Sequence, residues 1–140
     1  MIYLGIDPGI NGAAIALDGR ELYSHEWETV KDSYLFLENV IEDVDSLSVC
    51  AVIEKVTRPT KLTRNAGEWV GLLTALGIPF KEVPPKKWQK HFGTFAKEHT
   101  RRKNQLKQIA QQLYPGEKWT HKTADAYLLA VYAREVAWLR

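Results

Sequence analysis

Ile2-Tyr3-Leu4-Gly5-Ile6-Asp7-Pro8-Gly9-Ile10-Asn11-Gly12-Ala13-Ala14-Ile15-Ala16-Leu17 reads as an apolar strand ending on an acid, a Pro-Gly-Ile-Asn-Gly turn, and a second apolar strand. The pattern leaves Asp7 at a strand end. A carboxylate there costs free energy unless water, a hydrogen-bond donor or a cation offsets its burial. The strand therefore aims an acid at something positive, or Asp7 merely caps the turn.

Working outward, Asp18-Gly19 is a tight hairpin signal, and the alternation from Glu21 to Glu28 predicts a third antiparallel strand. Leu37, Val40, Ile41 and Val44, preceded by Tyr34, predict a helix from Lys31 to Asp45. Val49 to Ile53 is a continuous apolar run suited to a central strand covered on both faces, and it too ends on an acid, Glu54. Thr60 to Leu76 has helical spacing with Gly77 as its stop; Gly67 and Gly71 inside it suggest a second backbone packed closely on that side. Ile78 to Val83 is a short strand that Pro79 confines to its start or to an edge. Pro84-Pro85 breaks it, and Lys86 to Lys90 begins a short helix. Gly93 to Thr100 lacks an apolar period and reads as a mobile loop. Arg101 to Tyr114 is helical, ended by Pro115-Gly116, and a final helix from His121 to Leu139 follows Thr120 as its cap. Residues three and four apart share a helix face, so His121, Asp125 and Leu128 lie together. The order is βββαβαβα with one or two further helices, in one domain spanning 1–140 without repeats or linkers.

The chain is 45% hydrophobic and 26% charged, as soluble globular proteins are. Its single cysteine, Cys50, lies in an apolar run; this excludes an internal disulfide and predicts a buried thiol in a reducing compartment. The longest apolar run, Ala126 to Ala133, is too short to span a membrane, and the amino terminus lacks signal-peptide character, so a cytoplasmic protein is expected. Net charge is only +2, yet residues 81–107 hold nine Lys/Arg against two acids, leaving the remainder net negative. That segment is a solvated charged face or the seat of a polyanion.

Asp7 and Glu54 end adjacent strands, and Asp125 stands near the start of the last helix. Repulsion forbids three close carboxylates from staying ionised without cations, which argues for one or two hard divalent ions. Two such ions would activate water and stabilise the leaving oxygen of a phosphodiester, with the basic segment holding nucleic acid. Together these parts describe a nuclease.

Gly5-Ile6-Asp7-Pro8-Gly9, Val52-Ile53-Glu54-Lys55, Val83-Pro84-Pro85-Lys86-Lys87-Trp88-Gln89-Lys90 and Ala124-Asp125-Ala126-Tyr127-Leu128-Leu129-Ala130 occur in the order found in RuvC-like Holliday junction resolvases, and the chain resembles their short phage-type branch over nearly its whole length. The first motif alone is shared with actin-like ATPases, which need two such domains; the four in order are specific. The resemblance implies an RNase H-like α/β fold: a mixed five-stranded sheet, made of a three-strand antiparallel meander plus two parallel strands, flanked by helices. It further implies a homodimer that nicks four-way DNA junctions symmetrically with Mg²⁺ or Mn²⁺, two ions per site, in a bacterial or phage-infected cytosol. Asp7, Glu54 and Asp125 resemble three of that family's four metal-site acids.

Two departures stand out. Where many members carry a fourth acid, three or four residues before the last, this chain has Lys122 and His121. His121 points the same way as Asp125 and could ligate a metal or move a proton, or be a solvated helix-start histidine; Lys122 could contact the scissile phosphate. After Glu54, where relatives often place a junction-wedging aromatic, the chain has Lys55-Val56-Thr57-Arg58. Lys87 and Lys90 beside Trp88, together with Arg101, Arg102, Lys103 and Lys107, are the expected phosphate contacts. Trp69 and Trp88 read first as core, and Trp27, Trp119 and Trp138 carry no functional expectation. The alternatives are an RNase H-like nuclease of other branched DNA or structured RNA, and a junction-binding protein weakened in catalysis.

Overall fold

Strands β1 (Ile2–Asp7), β2 (Ala13–Asp18) and β3 (Glu21–Glu26) form the antiparallel meander, and β4 (Val49–Glu54) and β5 (Phe80–Val83) add parallel to β1, giving the sheet order β3-β2-β1-β4-β5. This architecture comes from a computed structural model that describes every residue except 11, 43, 57–60 and 140, and also leaves out the side chains of Lys61 and Leu62. Part of the segment after Glu54, Thr57-Arg58, thus lies outside the described residues. The β2–β3 hairpin turns at Gly19, whose φ of +60° an L side chain disfavours. β5 is an edge strand, as Pro79 requires.

Alternation along β1 divides the core. Ile2, Leu4 and Ile6 face α1 (Val30–Ile41) and α2 (Lys61–Ala75), in a cluster with Leu37, Trp69 and Leu73. Tyr3 packs on the opposite cluster, where α3 (Pro85–Phe92), α4 (His99–Leu113) and α5 (His121–Tyr132) supply Trp88, Leu106 and Leu128. Every residue of α5 from Thr123 to Tyr132 is buried, as expected of a helix covered all round. Its small side chains let it lie directly on the sheet. A Cβ at Gly5 would stand 2.1 Å from Ala126 O and 2.2 Å from Ala130 N. Only glycine fits there.

That contact corrects one expectation. Within this single chain a Cβ at Gly67 or Gly71 would meet nothing within 4 Å, and both glycines are exposed; the close backbone approach inside the chain occurs at Gly5 instead. Local differences are smaller. α1 stops at Ile41, and α4 begins at His99 because the Glu98 side chain accepts from Thr100 N and Arg101 N. The stretch read as a mobile loop is irregular through Lys97, but Ala96 N donates to Gln105 Oε1 at 2.9 Å. The last helix gives way to a π-turn, Ala133–Ala137, which seats Trp138 with its indole donating to Ala51 O at 3.0 Å. Cys50 is buried, with Sγ 3.5 Å from Met1 Sδ.

Gly5→Ala should therefore lower the unfolding free energy by about 3 kcal/mol or more, since neither backbone can yield cheaply. By contrast, Gly67→Ala and Gly71→Ala should each raise it by about 0.5–1 kcal/mol by removing a helix-interior glycine from open space. Urea unfolding of the three variants against the parent checks both directions.

Candidate active site

The pleat that turns Tyr3 and Gly5 towards α5 turns Asp7 the same way. The parallel register sets Ile6 opposite Ile53, so Asp7 and Glu54 leave the sheet at one level. Helix α5 starts beside them, held by a reciprocal cap in which Thr120 and Thr123 each bond the other's backbone N–H. Asp125 lies just before Ala126, whose carbonyl is pressed on Gly5, and is only 1% exposed. The Gly5 contact thus brings the third acid to the other two.

The three carboxylates feel one another. Burial, then Glu54 and Asp125, hold the Asp7 carboxyl well above the usual carboxylate range, while Lys103 and Lys122 pull it down. Burial also raises Glu54, which the Trp88 hydrogen bond opposes, and raises Asp125 against Lys103, His121 and Arg102. Lys103 reaches in from α4 and donates to Asp125 Oδ2, with its side chain 22% exposed. Burial disfavours its ammonium, but Asp125, Asp7 and Glu54 outweigh this and its pKa is raised. Asp125 Oδ1 is buried without a hydrogen-bond partner.

An unpartnered buried carboxylate oxygen and an all-oxygen donor set suit a hard divalent cation in kind, although the Lys103 ammonium now supplies the positive charge at Asp125. As the side chains stand, no three His, Cys, Asp or Glu among the described residues are close enough to hold one. His121 does not complete the set: it is exposed, with Nε2 2.8 Å from Asn104 Oδ1, and it reaches Asp125 only through its charge. Lys122 is half-buried, and its charge acts on Asp7. Lys87, Lys90 and Arg101 are exposed, whereas Lys107 and Arg102 are half-buried; Arg102 Nη1 donates to Lys97 O at 3.0 Å, and its charge reaches Glu54 and Asp125. Lys103, expected on the phosphate-binding face, stands inside the site.

Three further features escaped the sequence. Trp88 is core, as expected, but its Nε1 donates to Glu54 Oε2 at 2.8 Å. Asn65 on α2 accepts at Oδ1 from Gly9 N, 3.0 Å away, and holds the turn after Asp7. A Cβ at Gly12 would lie 2.7 Å from that same Oδ1 and 2.8 Å from Asp7 O, so the turn is glycine-rich because the chain folds onto itself there. The Lys86-Lys87-Trp88 run after Pro84-Pro85 and the helical Lys103 were visible signals; Asn65 gave none.

In metal-free buffer the raised acids should make stability depend on pH. A carboxyl whose folded pKa lies above its unfolded value costs nothing below that unfolded value, near pH 4, and costs increasingly as pH rises through the folded value. Stability should hence fall as pH rises above about 4. Asp7→Asn should raise the midpoint of thermal unfolding at pH 7.5 in the presence of a chelator and flatten this dependence. Adding Mn²⁺ should stabilise the parent more than the variant.

No protein-family model matches the chain. Over 75 residues, 49% of this chain, it is 31% identical to the chloroplastic Holliday junction resolvase MOC1 of Chlamydomonas reinhardtii; those residues span 8% of that relative's length. RuvC of Thermus thermophilus, solved in complex with a Holliday junction substrate, superposes with a TM-score of 0.67 at 15% identity, covering 94% of this chain and 90% of that one. Fowlpox virus resolvase, solved with its Holliday junction DNA, gives 0.59 at 13% identity, covering 94% and 95%. The mixed sheet, the helix seated on it and these superpositions make the fold of this chain RNase H-like, of the RuvC type.

Proposed function

We propose that this domain is a divalent-metal-dependent endonuclease that resolves four-way DNA junctions by paired nicks. The observation that carries the reading is the convergence of Asp7, Glu54 and Asp125, each with its carboxyl raised by burial, beside Lys103. The partial likeness to MOC1 and the folds of the two junction-bound neighbours support the substrate class.

In this reading the three acids hold Mg²⁺ or Mn²⁺, two ions per site. Held by these acids, such ions would supply Lewis-acid chemistry, an activated water and a stabilised leaving oxygen. Lys103 and Lys122 place positive charge where the scissile phosphate arrives. Lys87, Lys90, Arg101, Arg102 and Lys107 hold the backbone around it, and Asn65 fixes the turn that carries Asp7. His121 lies at the rim, where a change of side-chain rotamer would bring it towards Asp125 as ligand or proton carrier. Paired symmetric cuts require two sites, hence a homodimer, as the short phage-type resemblance also implies.

A second reading has a specific observation behind it. Lys103 is already bonded to Asp125 and His121 to Asn104, an arrangement suited to binding a junction without cutting it. One assay separates the two: a synthetic four-way junction and a linear duplex, each offered with Mg²⁺ and with Mn²⁺. Paired junction nicks are expected from the parent, with Asp7→Asn reduced by more than the ~100-fold that loss of even an outer-shell partner costs. Binding should weaken steeply with salt as counterions are released. Junction binding without cleavage in either metal would select the second reading, and hydrolysis of the linear duplex at the same rate would remove the junction from the function.

A further inference from the structure

The sheet has an acidic edge and a basic edge. Residues 18–45, which make the edge strand β3 and helix α1, hold nine Asp/Glu against Arg20 and Lys31. Along the opposite edge strand, β5, runs a groove of about 630 Å³ lined by Lys55, Lys81 and Lys87 with Val83, Tyr132 and Ala137. It begins at the candidate active site. Lys55 follows Glu54, and its backbone N–H donates to Val83 O at 2.8 Å; Lys87 precedes Trp88, whose indole is bonded to Glu54. Val83 pairs in register with Glu54, so Lys81 stands two residues, about 6.6 Å, down β5 from that level.

All three lysines are exposed, and among the described residues no carboxylate forms an ion pair with any of them. Glu82 also lines the groove, but strand alternation turns it to the face opposite Lys81. Lys81 is anchored on the groove wall: its Nζ donates to Ala137 O at 2.6 Å and lies 4.3 Å from the centre of the Trp138 ring. One of its three N–H donors is thus used, and two remain for a ligand. Fixing the stem beforehand lowers the entropy lost when an anion binds.

We propose that this groove is a second anion track, in which Lys55 and Lys81 hold the phosphate backbone of a junction arm as it leaves the active site over the β5 edge. The inference rests on the junction-cleaving reading and extends it to two cations outside the α3 and α4 set. The acidic β3 edge repels the same backbone, so the two edges together orient the molecule on DNA. Contacts of this kind fix register and direction and carry no sequence information.

The number of phosphates neutralised is read from the salt dependence of binding, since each contact adds about 0.9 to the slope of log K against log salt concentration. With a synthetic four-way junction in the presence of a chelator, Lys55→Gln/Lys81→Gln should bind more weakly at low salt, with a slope shallower by about two. Arg20→Gln/Lys31→Gln removes the same charge from the acidic edge and should keep the parent's slope. Should near-UV circular dichroism show that Lys81→Gln disturbs Trp138, Lys55→Gln alone decides, with a slope shallower by about one. In the parent, bound junction should shield Lys55 and Lys81 from amine acetylation while Lys31 stays reactive. Groove variants with the parent's slope, an equal change in the two double variants, or acetylation of Lys55 and Lys81 that DNA leaves unaltered overturns the proposal. Parent protein that does not bind the junction overturns the junction reading itself, a result distinct from parent binding whose slope the groove variants share.

Discussion

The backbone of α5 lies against Gly5 with no atom to spare, and this contact sets the position of everything that matters at the site. Gly5 and Asp7 share a face of β1, so whatever rests on Gly5 stands beside Asp7. What rests there is Ala126, and the residue before it is Asp125. The parallel pairing of β1 and β4 delivers Glu54 to the same level. Three acids thus stand at one end of the sheet, within electrostatic reach of one another, because of one pleat, one register and one missing side chain, all features of a tightly packed interior that tolerates no added methyl group.

Packing of that quality forces an electrostatic cost. Each carboxyl is pushed up by burial, and the folded protein carries like charges that it would otherwise keep apart. Lys103 offsets part of the cost from α4, which packs behind α5, so the helix that covers the core also supplies the compensating charge. The supporting shell is built from donors that cannot titrate: the Trp88 indole on Glu54 and the Gly9 N–H tied to Asn65 beside Asp7. Active sites commonly concentrate such uncompensated groups, at the expense of stability.

Much of this was legible before the fold. The five strands and the main helices follow from periods of two and of 3.6, and Asp7 and Glu54 stood out because acids ended otherwise apolar strands. The glycines were harder. Gly67 and Gly71 carried the stronger sequence signal yet face open space, while Gly5, unremarked inside a strand, takes the closest approach. His121 shares a helical face with Asp125, but a face is shared by everything that packs there, and Asn104 claims the imidazole. Lys103 was visible as a cation; whether it faced solvent or acids depended on how α4 lies across α5.

By itself, the sequence determined the elements, the two strand-end acids, the capped start of the last helix and the uneven distribution of charge, because each depends on residues near in the chain. Tertiary structure alone decided which side chains touch. Lys103 and Asp125 are 22 residues apart, Trp88 and Glu54 34, Asn65 and Gly9 56. No local pattern encodes such pairs, since each depends on the angle and depth at which one packed element meets another.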